Sequence, residues 1–331
     1  MPGRGERTAG QASLVADPIN GEFENHRRAL TGYCYRMLGS GFEAEDAVQE
    51  TMVRAWRGSD NLHSPGALRS WLYRIATNVC LSMLTEPQRR ARPMGLGPSS
   101  TADSELDAGL PEQAWVSPIQ DDRVLCAEGD PAELAVSRES IRLAFVAALQ
   151  HLPPRQRAVL ILREVLRWRA AEVAELLDTT VASVNSALQR ARATLETVEP
   201  DNTGPMPEAE QRALLDGYVT AFQNYDIDAL VQLLHADVRF SMPPYALWLR
   251  GPDQVVAWLL GQGAGCRGSR LVATSANGCA AFGSYRSAGP GRHEPFALQV
   301  LEFADGRIAG FNNFLDPRLF AAFGLPPVLT E

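Results

Sequence analysis

The sequence predicts a multidomain protein with two all-α blocks, the second built around a helix-turn-helix, followed by an α+β block. Three observations carry this. Apolar residues recur at spacings of three and four over residues 22–92 and again over 136–198. Between them lies a stretch rich in Pro, Gly, Ser and acid with no sustained period, residues 93–135. From Ala209 onward one or two helices give way to alternating strands such as PFALQVLEFADGRIAGFNNFL, with turn signals at Asn277-Gly278, Gly289-Pro290-Gly291 and Asp305-Gly306. The expected organisation is a disordered N-terminus (1–17), a helical domain (18–92), an acidic linker (93–135), a helix-turn-helix domain (136–198), a short linker (199–208) and a C-terminal domain (209–331).

At 331 residues and 45% hydrophobic content, the chain can bury a core in each of about two or three domains. No apolar run approaches the ~18–20 residues that span a bilayer, and MPGRGERTAGQAS lacks the apolar segment of a signal peptide. A cytoplasmic protein with no membrane partner is expected. Cys34, Cys80, Cys126, Cys266 and Cys279 are odd in number and never spaced as CxxC, which argues against disulfides and zinc; neither metal nor cofactor is expected. The net charge of -8 would disfavour nucleic acid if it were spread evenly. It is not: residues 93–135 hold nine acids against Arg123 alone. Every one of the 31 basic residues is arginine, whose planar fork suits phosphate and guanine.

In the first block, EAEDAVQETMVRAWR (43–57) lets Ala44, Ala47, Val48 and Trp56 pack inward. That leaves Asp46, Gln49, Glu50 and Val53 as one acidic and amide surface, better suited to a basic protein partner than to DNA. Ser64-Pro65 is a helix start, after which Leu68, Trp71, Leu72, Ile75, Ala76, Val79 and Met83 form an apolar stripe. Trp71 on that stripe reads as core. Around it stand Arg69, Tyr73, Arg74 and Asn78, then Arg89, Arg90 and Arg92. Aromatics interleaved with arginine can hold an unstacked single strand, by stacking on bases and pairing with phosphates.

In the second block, RAAEVAELLDTTVASVNSALQRARATL reads as helix, short turn at Asp178-Thr179-Thr180, helix, with Val173, Ala174, Leu177, Val181, Val184 and Leu188 facing inward. The second helix of such a unit meets base edges in the major groove. Ser183, Asn185, Ser186 and Gln189 are candidate base readers, and Arg190 and Arg192 suit phosphate. A plain solvated helix in an all-helical domain is the alternative.

Taken with LQHLPPRQRAVLILREV (149–165), the segments EAEDAVQETMVRAWR and LRSWLYRIATNVCL (68–81) stand in an order that resembles the extracytoplasmic-function group of bacterial sigma factors. The resemblance covers roughly residues 22–92 and 136–196. It implies that the first domain binds core RNA polymerase at its clamp, through Asp46, Gln49, Glu50 and Val53, and melts the downstream promoter element. It implies that the second domain, beside the flap, reads the upstream element, so that promoter DNA is met both double- and single-stranded. The family's capture loop corresponds to SDNLHSPG (59–66), with Leu62 and His63; Leu62 stands where many members carry an aromatic. Asn185 and Ala187 stand where many carry Lys and Arg, and two fewer charges should lower the salt slope of DNA binding by up to about two. The acidic linker of the family threads toward the polymerase channels; a plain flexible spacer is the alternative.

The remaining stretch, LLDGYVTAFQNYDIDALVQLLHADVRFSMPPYALWLRGPDQVVAWL, resembles the SnoaL-like cone-shaped α+β fold, and MPPY with FLDPRLF is similar to the actinobacterial SigG and SigJ type. Such cones enclose a pocket for a possible small ligand, here lined by Phe240, Met242, Tyr245, Trp248, Phe282, Phe296 and Phe311. Enzymes of this fold use an Asp or His as base. His235, Asp237 and Asp316 are available, but His235 and Asp237 are placed in a helix-to-strand turn where Asp serves as a cap, and no catalysis is expected. Phe320, Phe323 and Leu325 form an apolar tail expected to dock against the sigma domains.

Three functions follow: a promoter-recognition subunit of RNA polymerase modulated in cis by its C-terminal domain, a stand-alone ligand-sensing helix-turn-helix regulator, or a SnoaL-type enzyme with a localising helical part. The acidic Asp46/Glu50 surface favours the first, because a stand-alone regulator has no use for it.

Overall fold

The structure is a computed structural model that describes residues 18–59, 65–84, 90–125, 130–197 and 206–330. The expectations for the N-terminus, for the loop carrying Leu62 and His63, for Arg89 and for most of the 199–208 linker lie outside these residues.

Three helices make the first block: α1 (Pro18–Leu38), α2 (Gly41–Gly58) and α3 (Leu68–Met83). Gly39, at φ +72°, ends α1, and the Ser40 side chain caps α2 by accepting from Glu43 N, so the two helices turn back on each other within two residues. Ala44, Ala47, Val48, Thr51 and Ala55 are the buried stripe of α2. Trp56, expected inside, is 60% exposed: it sits one residue beyond Ala55, about 100° around the helix from the buried face. From α3, Leu72, Ala76 and Val79 close the core, and Tyr33 meets Thr77 through a buried hydroxyl pair at 2.7 Å.

The second helical block runs through α4 (Pro131–Glu139), α5 (Leu143–Leu149), α6 (Pro154–Leu160), α7 (Ala170–Leu176) and α8 (Val181–Glu196). Asp178 at φ +50° makes the turn between α7 and α8, and Thr180 caps α8 by accepting from Ser183 N. Val173, Ala174, Leu176, Val184, Leu188 and Ala191 are buried. Two inward assignments move. Leu176 takes the core position expected for Leu177, and Val181, the first residue of α8, is 42% exposed because the buried stripe starts one turn later.

In the third block, α9 (Glu208–Asn224) and α10 (Ile227–Gln232) precede a sheet of β1 (Leu234–Ser241), β2 (Trp248–Arg250), β3 (Arg270–Ala276), β4 (Cys279–Gly289), β5 (Arg292–Ala304) and β6 (Arg307–Phe314), ordered β2-β1-β6-β5-β4-β3. Only the β1–β6 pairing along this path is parallel. Between β2 and β3 lies α11 (Pro252–Leu260); a short α12 (Arg318–Ala322) and β7 (Leu329–Thr330) end the chain, β7 pairing with β5. All three turn signals fall between paired strands. His235 and Asp237 lie on β1 and not in a turn, because α10 ends early enough for the strand to start at Leu234.

One face of the sheet packs on α9 and α11 through rings: Tyr218 lies 5.6 Å from both Phe282 and Phe311, and Phe240 lies 6.3 Å from Trp258. The other face carries Ala281, Tyr285, Leu298 and Val300, which belong to one continuous core with both helical blocks. The tail contributes to this second core. Phe320, Phe323 and Leu325 are buried, with Phe320 edge-on to Tyr285 at 4.9 Å, so the tail packs on its own sheet within the core it shares with the helical blocks.

The acidic linker is extended but not free. Ser100 N donates to Trp248 O, Leu110 N to Pro244 O, and Gln262 Nε2 to both Ala102 O and Ser104 O. Upstream of it, Arg92 forms a 2.7 Å ion pair with Glu302, both side chains at or below 10% exposure. The linker is therefore a strap laid along the C-terminal domain, with several of its backbone polar groups satisfied by that domain and others, near Trp115 and Ser117, by the first block.

Candidate functional site

The predicted surfaces separate into open and covered ones. On α2, Asp46 and Gln49 are exposed, Glu50 and Val53 are half-buried, and Glu50 is held by Arg54 at 2.6 Å, an i,i+4 pair. Glu43 and Glu45, on the same helix, are tied to Arg90 and Arg123. Asp46 and Gln49 face solvent in the folded chain.

On α8, Ser183, Asn185, Ser186, Gln189, Arg190 and Arg192 are all exposed, as a reading face requires. Ser183 also shares its hydroxyl with the Thr180 cap at 3.0 Å, and Arg192 pairs with Glu164 at 2.6 Å. Both contacts are on the surface and cost little to exchange for DNA.

The α3 surface is different. Tyr73, expected to face an unstacked strand, is 2% exposed, its ring 5.3 Å from Tyr33 and 5.1 Å from Trp168 of the second block. Arg69 stacks over Trp168 at 5.0 Å, and Arg74 donates to Glu175 O of α7 at 2.8 Å. Asn78 remains exposed, and Trp71, read as core, is half-buried. Arg90 and Arg92 serve the interior rather than a strand: Arg90 donates to the carbonyls of Glu112 and Trp115 at 2.9 Å, and Arg92 holds Glu302. The second helical block thus sits on the α3 surface expected to face an unstacked strand.

Buried polar groups hold this packing, and sequence reading missed them. Arg36, on α1, donates to Ser140 O and Oγ and to Gly32 O, and burial pushes its guanidinium down to about 10. Arg157, on α6, donates to Met37 O of α1 and to Gln150 Oε1, and burial brings it likewise to about 10.

The C-terminal domain enters the same junction through the tip of its β3–β4 hairpin. Asn277 is fully buried, its Nδ2 donating to Tyr35 Oη of α1 and to Ile141 O of the second block, both at 2.6 Å. Its Oδ1 accepts from Ile119 N, and Tyr35 Oη in turn donates to Ser117 O of the strap. Gly278 N donates to Asp121 at 2.8 Å; burial pushes the Asp121 carboxyl up to about 6, against the opposing pull of that donor. One asparagine joins four segments. The only signal in the sequence was its Asn-Gly turn, which announces a hairpin and says nothing of what the tip will touch.

Of the expected pocket residues, Phe240, Met242, Phe282 and Phe311 are buried in one core cluster, with the Phe240 and Phe311 rings 6.1 Å apart; Trp248 donates to Gly97 O of the strap at 3.0 Å, and Phe296 lies under Arg286. Tyr245 is half-buried. A cavity of about 230 Å³ opens where α2, the strap and the end of β6 meet. His235 lies 3.6 Å from Asp305, and Asp237 is exposed and paired with Arg250 at 2.8 Å. Among the described residues no group of His, Cys, Asp and Glu is arranged to hold a metal ion.

Comparison with known proteins finds three family models along the chain. Residues 23–90 match the model for Sigma-70 region 2, residues 142–195 that for Sigma-70 region 4, and residues 215–311 that for the SnoaL-like domain. The chain is 46% identical over 327 residues to the ECF RNA polymerase sigma factor SigG of Mycobacterium tuberculosis, covering 95% of this chain and 86% of the relative. It is 28% identical over 314 residues to SigJ of the same organism, covering 90% and 92%. The crystal structure of M. tuberculosis SigJ superimposes with a TM-score of 0.59 at 25% identity, over 92% of this chain and 99% of that one. Being 46% identical to an ECF sigma factor over 95% of its length, and carrying both Sigma-70 regions, this protein belongs to the extracytoplasmic-function family of RNA polymerase sigma factors.

Proposed function

We propose that this sigma factor, which binds core RNA polymerase and directs promoter recognition, rests in a closed state held by its own C-terminal domain and opens on the polymerase. The observation that carries the reading is the asymmetry of exposure. The α2 face carrying Asp46 and Gln49 and the α8 face carrying Asn185 and Gln189 are open, while Tyr73, Arg69 and Arg74 of α3 are engaged by the second helical block. A chain in this state can meet the polymerase clamp before it can hold a melted strand. Opening must separate α3 from α7 and free the strap; Asn277 opposes both by binding α1, the strap and the second block at once.

The clamp contact is assigned to Asp46, Gln49, Glu50 and Val53, the upstream element to Ser183, Asn185, Ser186, Gln189, Arg190 and Arg192, and the downstream element to Arg69, Arg74 and Asn78 with the loop of Leu62 and His63. Tyr73 contributes only after opening. The C-terminal domain is read as a regulatory module and not a catalyst, since Asp237 is exposed and neutralised by Arg250. No described helix is long and apolar enough to cross a membrane, and the site of action is read as the cytoplasm, with the polymerase.

Run-off transcription with core polymerase tests the reading. Asp46→Arg with Glu50→Arg should abolish core association and transcript while leaving the fold unchanged. Removing residues 207–331 should raise promoter-dependent transcript several-fold at limiting core. Equal output from the truncated and full chains would make the C-terminal domain a passenger, and normal core binding by the double variant would remove the clamp assignment.

A further inference from the structure

We propose that the cavity between α2, the strap and the end of β6 is a ligand site for a small aromatic amine. Its walls are flat and apolar: Phe42 from α2, Trp115 from the strap, and Pro244, Phe314 and Leu319 from the C-terminal domain. Trp115, Phe314 and Leu319 are at or below 6% exposure, so these walls are firmly packed side chains, and the space opens to solvent on the side of Glu112 and Arg318. At about 230 Å³ it exceeds the roughly 150 Å³ that holds benzene in an apolar interior, which leaves room for one ring and a short substituent.

The mouth sets the charge of that substituent. Arg318 is the guanidinium there, lying over the Phe42 ring at 5.1 Å and reaching both Asp316 at 2.7 Å and Glu112 at 2.8 Å. One cation shared by two carboxylates leaves a negative charge unbalanced, beside the faces of Phe42 and Trp115. An ammonium group meets attraction from the carboxylates and from the ring faces; a ligand carboxylate meets repulsion and must displace Glu112 or Asp316 from Arg318.

The walls come from three segments that meet only when the chain is closed. A ligand seated there binds the closed state alone and favours it by mass action. This consequence rests on the proposed cis regulation; the site itself does not.

Phenethylamine is the probe, phenylacetate its charge-inverted counterpart, each titrated calorimetrically into the full chain. Phenethylamine should bind with a Kd of about 1 mM or tighter, at least about fivefold better than phenylacetate. Leu319→Trp, which fills the cavity, should abolish the binding. Should that variant fail to fold, Glu112→Gln with Asp316→Asn keeps the shape and should erase the preference for the amine. Equal binding of the two probes, no binding of either at about 10 mM, or undiminished binding by both variants overturns the site. Binding without a fall in run-off transcript at saturating phenethylamine leaves the site standing and overturns closure as the means of regulation.

Discussion

Two hairpin tips of one sheet have nearly the same local chemistry and opposite roles. Asn277-Gly278 joins β3 to β4, and Asp305-Gly306 joins β5 to β6; all four residues have positive φ, between 50° and 72°. Both are two-residue turns of the kind that match the twist of paired strands. Asn277 is fully buried against three other segments, whereas the Asp305 side chain is 89% exposed. The turn type follows from the dipeptide. Whether its side chain becomes a structural hub depends on what the end of the sheet meets, and here one end meets both helical domains.

The largest break in this symmetry should come from Asn277→Asp. It places a carboxylate against the Ile141 carbonyl in a site closed to water, and should cost about 3–5 kcal/mol, read as a fall in Tm or as loosening in small-angle scattering. Asp305→Asn at the exposed tip should change Tm by less than about 1 °C, since surface changes lie within about 0.5 kcal/mol.

Next in size is Arg157→Met, which keeps the apolar stem but strips donors from Met37 O, Gln150 and Leu152 O. A loss of about 2–3 kcal/mol is expected in denaturant unfolding, from buried acceptors left unpaired.

Gly278→Ala against Gly306→Ala sharpens the comparison further, because both glycines need positive φ but only one is crowded. A Cβ at Gly278 would lie 3.0 Å from Arg138 O, while nothing lies within 4 Å at Gly306. Both should lose about 1 kcal/mol for the backbone, with about another 1 kcal/mol at Gly278 alone. Equal losses would show that the second helical block yields to the hairpin.

The smallest effect is electrostatic. With its carboxyl raised to about 6, Asp121 binds a proton more readily in the closed chain than in an opened or unfolded one. Its ionisation therefore opposes closure, so that the Asp121 contribution favours the closed state increasingly as pH falls from about 7 to about 4. Asp121→Asn should flatten that part of the Tm profile and raise Tm modestly at pH 7.5. An unchanged profile would show that Gly278 does not hold a buried acid.

Local order was legible to different depths in different places. The helix-turn-helix could be read because Val173, Ala174, Val184 and Leu188 repeat at helical spacing on either side of the Asp178-Thr179-Thr180 turn, features confined to a few consecutive residues. The α2 stripe was legible except for Trp56, whose size suggested burial while its phase forbade it. Asp46, Asn185 and Gln189 were found for the same reason, since residues off an apolar stripe are exposed whatever the stripe packs against. Tyr73 was misplaced because its ring is closed in between Tyr33 of its own domain and Trp168 of the second, a neighbour no local pattern announces.

By itself, the sequence determined the helices, the hairpin turns, the order of the three domains and the outward phase of the polar faces of α2 and α8, because each depends on periodicity and turn chemistry within about twenty residues. The tertiary structure alone decided that the acidic linker lies strapped to a sheet, that Arg36, Arg92 and Arg157 serve the interior, and that Asn277 joins four segments. The physical reason is separation along the chain: Asn277 finds Tyr35 across 242 residues, and no local pattern encodes which distant donor or carbonyl a buried amide will meet.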